Sequence, residues 1–255
     1  MQVRFWGVRG SIAVSGGAFS GTGGNTSCVE VVHEGHRIVL DGGTGLQELG
    51  RSLATPDVET SLLFSHVHWD HIQGVPYFAP AFDPGARLRL VGAPGLKRAL
   101  VQQMRAPMFP IGLDAFRADL AFHELPPDTE ARIGPFTVRS TEGSHPNGVR
   151  VWRIEAGGRA VVYATDVEHG DAVDPVLVDL ASGADLLVHD AQYTDREYPG
   201  RRGWGHSTWE QAVEVAERAQ VGQLALFHHD PTRTDAALAE IESWAARRRR
   251  GTFAA

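Results

Sequence analysis

An α/β fold is what this sequence predicts, and three observations carry the prediction. Short apolar runs recur along the chain and most end on a polar residue, the pattern of strands buried in a sheet. Between several of these runs stand segments with apolar residues at helical spacing, some opened by capping residues. The 255 residues include no linker-like or low-complexity stretch, so they read as a single domain, residues 1–255, with a well-filled core.

In chain order, residues 2–6, 28–33 and 36–41 read as strands, joined by a Gly-rich loop over 7–25 and a tight turn at Glu34-Gly35. Asp41-Gly42-Gly43-Thr44-Gly45 follows the apolar Ile38-Val39-Leu40, as when a strand ends in a glycine turn that feeds a helix. Another strand ends at Leu62-Leu63-Phe64 and is followed by a helix over 70–78, a strand over 87–91 and a helix over 96–104. The Pro- and Phe-rich segment 106–125 shows no catalytic spacing; its aromatics would suit a substrate wall or the interface of a homodimer, and His123 within it reads as structural. Strands over 133–140, 160–164, 186–188 and 224–227 then lead into Thr141 to Pro146, Thr165-Asp166, His189-Asp190 and His228-His229-Asp230. Ser207-Thr208-Trp209-Glu210 reads as a capping box opening a helix over 209–219, and a last helix over 234–250 turns Leu238, Ile241 and Trp244 or Ala245 to the core.

A formal net charge of −7 argues against a broad footprint for polymeric nucleic acid, while small anionic substrates stay open because bound cations would dominate the local field. Cys28 is the single cysteine, so no internal disulfide forms and its thiol reads as core. No basic segment followed by an apolar one opens the chain and no apolar run approaches membrane-span length, so a cytoplasmic protein without a membrane partner is expected. The run Arg247 to Arg250 reads as a solvated helix end, where cations suit the helix dipole.

The chemistry concentrates in Ser65-His66-Val67-His68-Trp69-Asp70-His71-Ile72. In extended backbone His66 and His68 fall on one side, whereas Asp70 and His71 are neighbours at a helix start and must diverge. One metal could not easily use all four. The spacing therefore suggests two adjacent metals, His66 and His68 on one, Asp70 and His71 on the other. Asp41 reads equally as a turn residue and as an acceptor for a ligating histidine. Val8-Arg9-Gly10-Ser11 and Gly23-Gly24-Asn25-Thr26 could present amides, Arg9 and Asn25 to a phosphate, and Arg201 is a third candidate for that contact. His206 stands just outside a helix N-terminus, which lowers its pKa, whereas a carboxylate such as Asp190 would raise it.

The order His66-x-His68-x-Asp70-His71, a distant histidine, an aspartate at a strand end and a last histidine resembles the metallo-β-lactamase superfamily. Gly23-Gly24-Asn25-Thr26-Ser27, Asp41-Gly42-Gly43-Thr44-Gly45 and Gly205-His206-Ser207-Thr208 look like the branch of tRNase Z and the cyclic phosphodiesterases similar to phosphoribosyl cyclic phosphate phosphodiesterase. The resemblance implies a four-layer αβ/βα sandwich, two mixed sheets flanked by helices, and metal-dependent hydrolysis. Carried over by position, His66, His68 and His145 would hold one divalent ion, Asp70, His71 and His228 the other, and Asp166 would bridge them. His229 remains an alternative to His228. A ligand set of nitrogen and oxygen without thiolate suits zinc or manganese, with iron also compatible. The implied nucleophile is a hydroxide bridging the metals and oriented by Asp70, and His206, oriented by Asp190, would protonate the leaving oxygen.

Departures from these relatives refine the expectation. Only residues 146 through 165 separate His145 from Asp166, which is 20, whereas tRNase Z relatives generally place a protruding RNA-binding arm there. With Cys28 alone, the separate structural zinc site of some cyclic phosphodiesterases is absent or altered. The leading expectation is a dinuclear phosphodiesterase for a small phosphodiester, cyclic esters included. Its rivals are hydrolysis at carbon, as by a lactonase, thioesterase or β-lactamase, then tRNA 3′ processing, then a non-catalytic binding module.

Overall fold

The computed structural model describes residues 1–53 and 59–255. The chain forms two compact units, each with its own sheet. The first comprises Met1–Gly7 and Asn25–Pro126, the second Val8–Gly24 and Pro127–Ala255.

The first unit holds β1 (Gln2–Gly7), β2 (Cys28–His33), β3 (His36–Leu40), α1 (Gly45–Ser52), β4 (Thr60–Leu63), α2 (Trp69–Ile72), β5 (Arg87–Gly92), α3 (Leu96–Gln103) and β6 (Asp119–Glu124). Its six strands lie in sequence order, antiparallel from β1 to β3 and parallel from β3 to β6. The β2–β3 hairpin closes on Glu34 and Gly35 at φ 48° and 78°, both left-handed, the two-residue turn whose twist matches that of the strands. From β3 onward the neighbours are parallel and need crossovers, which α1 and α3 help provide. Leu46 and Leu49 of α1 pack with Val39, Leu62 and Phe64, all fully or nearly buried. Each such side chain removed from water contributes roughly 1.5–3 kcal/mol.

The second unit holds β7 (Glu130–Ile133), β8 (Phe136–Gly143), β9 (Val149–Ala156), β10 (Arg159–Ala164), α4 (Pro175–Ala181), β11 (Leu186–Asp190), α5 (Trp209–Arg218), β12 (Gln223–Phe227), α6 (Asp235–Arg248) and β13 (Thr252–Ala254). Its strand order is β13-β12-β11-β10-β9-β8-β7, parallel from β10 to β13 and antiparallel from β7 to β10. Because two antiparallel steps separate β8 from β10, these strands run in one direction. The C-terminal ends of β8, β10, β11 and β12 therefore share an edge of this sheet. The core beneath α5 and α6 gathers Val162, Leu187, Val213, Leu224 and Ile241.

Four local expectations are corrected. The helix expected over 70–78 is the single turn α2 followed by 3-10 turns at Val75–Tyr77 and Ala79–Phe82, because Gly74 and Pro76 interrupt it. The segment 106–125, in which no strand was expected, contains β6, and β9 and α4 arise where none were expected. The capping box of α5 is Thr208 with Gln211, one residue later than expected, since Ser207 Oγ donates instead to the Val167 carbonyl. Two mixed sheets flanked by helices are otherwise the expected α/β class.

Candidate functional site

In the first unit, neighbouring parallel strands deliver the donors. Asp41 follows β3 and the His66 cluster follows β4, so both leave the sheet at strand carboxyl ends, where α/β sheets place ligands. Asp41 is fully buried and adopts φ 60°, a left-handed conformation that costs a non-glycine residue of order 1–3 kcal/mol. Its carboxylate accepts the Ser65 N–H at 2.7 Å, the Ser65 hydroxyl at 2.7 Å and His71 Nδ1–H at 2.7 Å. With its proton given to Asp41, Ser65 Oγ accepts from His66 Nδ1 at 3.0 Å. One carboxylate thus fixes the tautomer of two imidazoles, and in both the lone pair lies on Nε2. The His66 ring stands 4.4 Å from that of His68 and 4.2 Å from that of His71, and His71 Nε2 lies 3.3 Å from Asp70 Oδ2. All four residues of the predicted cluster therefore converge.

The second unit gathers another set at the shared edge of its sheet. Asp166, at φ 53°, lies 3.7 Å from His145 Nε2 through Oδ2 and 3.2 Å from His228 Nε2 through Oδ1. His228, at φ 58°, donates from Nδ1 to Gln192 Oε1 at 2.9 Å, and His145 donates from Nδ1 to the Gly205 carbonyl at 2.8 Å. His206 Nδ1 donates to Asp190 Oδ2 at 2.8 Å, and its ring stacks on that of His228 with centroids 4.9 Å apart. Donor atoms of Asp166, Asp190, His206 and His228 all lie within 4.8 Å of one another, and all four residues are buried. The structure brings together His145, Asp166, Asp190, His206 and His228.

The remaining predicted residues have other surroundings. Arg9 is fully buried; its guanidinium donates to the carbonyls of Gly23 at 2.8 Å and Arg233 at 2.6 Å and lies 3.5 Å from Asp235. These partners tie the loop to the start of α6. Asn25 Oδ1 accepts from Thr44 Oγ1 at 3.0 Å. Arg201 is exposed and stacks on Trp204, 4.7 Å from the ring centroid. His229 Nε2 donates to the Ala255 carbonyl at 3.3 Å. Burial, reinforced by the Arg9 charge, pulls its pKa down to about 3, so its ring is neutral.

Sequence reasoning missed Ser65, Gln192 and Gly205 as orienting partners. Ser65 was visible in the motif itself. Gln192 and Gly205 act 36 and 60 residues away from the histidines they orient, so local spacing gave no signal. Two glycines are sterically required beside these rings. A Cβ on Gly10 would fall 2.5 Å from the His228 imidazole, and one on Gly205, which adopts φ 90°, would fall 2.1 Å from His145 Nδ1. Behind the site, the Asp174 N–H donates to His169 Nδ1, which leaves Nε2–H of His169 to donate to His189 Nε2 at 3.1 Å. Burial, and next the neighbouring His189, bring the His169 pKa down to about 3.

Both donor sets fit divalent cations. Buried carboxylates stand among His66, His71, His145, His206 and His228, whose Nδ1 protons are committed to protein acceptors, which is how ligating histidines are oriented toward a metal through Nε2. Nitrogen and oxygen donors without thiolate suit a borderline dication.

The family model described as "Beta-lactamase superfamily domain" matches residues 36–229. Ribonuclease Z of Haloferax volcanii is 28% identical over 87% of this chain and 84% of its own length. Among solved structures, the metallo-beta-lactamase fold protein YhfI of Bacillus subtilis superposes with a TM-score of 0.77 at 20% identity, over 98% of this chain and 93% of that one. A diphosphatase from the PhnP family superposes with a TM-score of 0.75 at 17% identity, over 99% and 93%.

Proposed function

This chain belongs to the beta-lactamase superfamily and is a hydrolase, and from that premise we propose that it is a metal-dependent phosphodiesterase for a small phosphodiester, cyclic esters included. His66, His68, Asp70 and His71 of the first donor set and His145, Asp166 and His228 of the second are the proposed ligands of two divalent ions, zinc or manganese by donor chemistry. Bound dications would supply an activated water and offset negative charge developing on the phosphoryl oxygens.

The observation that carries the reading is the buried His206–Asp190 pair, with Nδ1 to Oδ2 at 2.8 Å. Asp190 accepts the Nδ1 proton and holds the imidazole in one orientation, so Nε2 is the atom that hands a proton to a leaving oxygen. Asp70 orients the attacking water. A small substrate is favoured by the stretch between His145 and Asp166, which forms the β9–β10 hairpin closed at Gly157-Gly158 and carries no protruding arm. A net charge of −7 weighs the same way.

A second reading, cleavage of RNA, is supported by the relatives named ribonuclease Z and would use the same residues. A panel of bis(p-nitrophenyl) phosphate, cyclic nucleotides, a ribose cyclic phosphate, a lactone and a β-lactam, assayed with zinc- and manganese-loaded protein, tests the phosphodiesterase reading. Lactone or β-lactam turnover without phosphodiester turnover would overturn it.

A further inference from the structure

Glu168 is a half-buried carboxylate of the second unit outside the chemistry described above. Glu168 lies two residues after Asp166, and its backbone N–H donates to the Ser144 carbonyl at 2.9 Å, beside His145. Its side chain accepts three hydrogen bonds from the strap 198–206. Oε1 takes the Tyr198 hydroxyl at 2.8 Å and the Gly203 N–H at 2.7 Å, and Oε2 takes the Gly205 N–H at 2.8 Å. Gly205 is the residue whose carbonyl orients His145, and His206 is the next in the chain.

We propose that Glu168 is a positioning residue that sets the imidazoles of His145 and His206 together, by fixing the strap that constrains both.

The chemistry requires a carboxylate. Each of the three groups bonded to it is a donor, and only an acceptor-only side chain satisfies all three. Burial pushes the Glu168 pKa up, but the hydrogen bonds from Gly203, Tyr198 and Gly205 and the nearby His206 outweigh it and hold the group below the usual glutamate range. The geometry at Gly205 leaves little slack: its φ of 90°, and the 2.1 Å that would separate an added Cβ from His145 Nδ1, allow glycine alone. A second tie reinforces the strap, since Ser207 Oγ donates to the Val167 carbonyl at 2.5 Å. Release of Gly205 would loosen the acceptor of His145 on one side and the backbone of His206 on the other. An amide cannot replace the carboxylate, because in either orientation of Glu168→Gln one backbone N–H loses its acceptor.

The inference rests on the reading of His206 as acid and His145 as ligand, and two readouts separate the two ideas. The first is kcat on methyl p-nitrophenyl phosphate and on methyl phenyl phosphate, whose leaving group needs protonation more. For E168Q the phenyl ester should lose about 10-fold more than the p-nitrophenyl ester, in the direction set by H206A. The second is metal release to a chelator, which should be about 10-fold faster in E168Q than in wild type. Y198F, which removes one of the three donors and keeps both backbone ties, should fall between wild type and E168Q in both assays. It serves as the folded control if E168Q does not fold. Equal losses on both esters with unchanged metal release in the folded variants would overturn the proposal. If H206A itself shows no leaving-group dependence, the acid assignment fails, and the metal-release arm then decides on Glu168 alone.

Discussion

Asp190 Oδ2 accepts the Nδ1 proton of His206 at 2.8 Å, and its other oxygen accepts the backbone N–H groups of Gln192 at 3.0 Å and Ser207 at 3.1 Å. The carboxylate is thereby locked from both sides of the imidazole it serves. A neutral amide at this position would keep much of the shape and could not accept all three of these hydrogen bonds.

Removing the imidazole should therefore lower turnover without removing metal. His206→Ala is expected to reduce kcat on an unactivated phosphodiester by roughly 10²- to 10⁴-fold, with metal content unchanged by elemental analysis. Asp190→Asn should change turnover in the same direction. Full turnover by the alanine variant would discard the acid role.

Asp41 should govern metal affinity although it is placed outside the ligand set. Its single carboxylate orients His71 directly and His66 through Ser65. Asp41→Asn is expected to weaken affinity by about 10- to 100-fold in a chelator competition, since the hydrogen-bond partner of the proposed ligand His71 would be lost. Wild-type affinity would show that the histidines hold their orientation unaided.

Gly10→Ala tests the wall against His228. The added methyl would fall 2.5 Å from the imidazole and 2.9 Å from Gln192 Oε1, so the ring or the loop must shift. Overpacking of this kind costs about 1–3 kcal/mol, and the variant should melt lower and bind metal more weakly. Unchanged melting and affinity would mean that the loop gives way freely.

Stability should fall on the acid side through His169. Its folded pKa of about 3 lies below the ordinary 6.5, so the unfolded chain takes up the proton first. The contribution is complete above pH 6.5 and is lost as pH falls from there toward 3. Between about pH 8 and about pH 5 the loss from this group amounts to about 2 kcal/mol. His169→Gln should flatten that part of the profile in denaturant titrations at the two pH values. Parallel profiles for wild type and variant would refute the assignment.

What was legible in the sequence follows the range of the interactions involved. His66 to His71 could be recognised because the donors are neighbours on one strand-to-helix turn, and the strand-end residues Asp166, Asp190 and His228 because each follows an apolar run. The α/β class was visible in the same runs. Partnerships across the chain were not: Gln192 with His228 and Gly205 with His145 depend on strand order, which local spacing does not encode. Arg9 reads as a phosphate contact because a Gly-rich loop beside an arginine has that form, and its guanidinium donates through Nε and Nη1 to the carbonyls of Gly23 and Arg233, partners that local spacing does not reveal. The capping box slipped by one residue because the hydroxyl of Ser207 had a closer carbonyl in Val167.

Hydrolysis of a small phosphodiester through the His206–Asp190 pair is tested by comparing kcat/KM on a 2′,3′-cyclic nucleotide and on a tRNA precursor carrying a 3′ trailer, with the same metal-loaded protein. The cyclic ester should be turned over, less so by His206→Ala, with little or no trimming of the precursor. Efficient cleavage of the precursor with the cyclic ester left intact would contradict it.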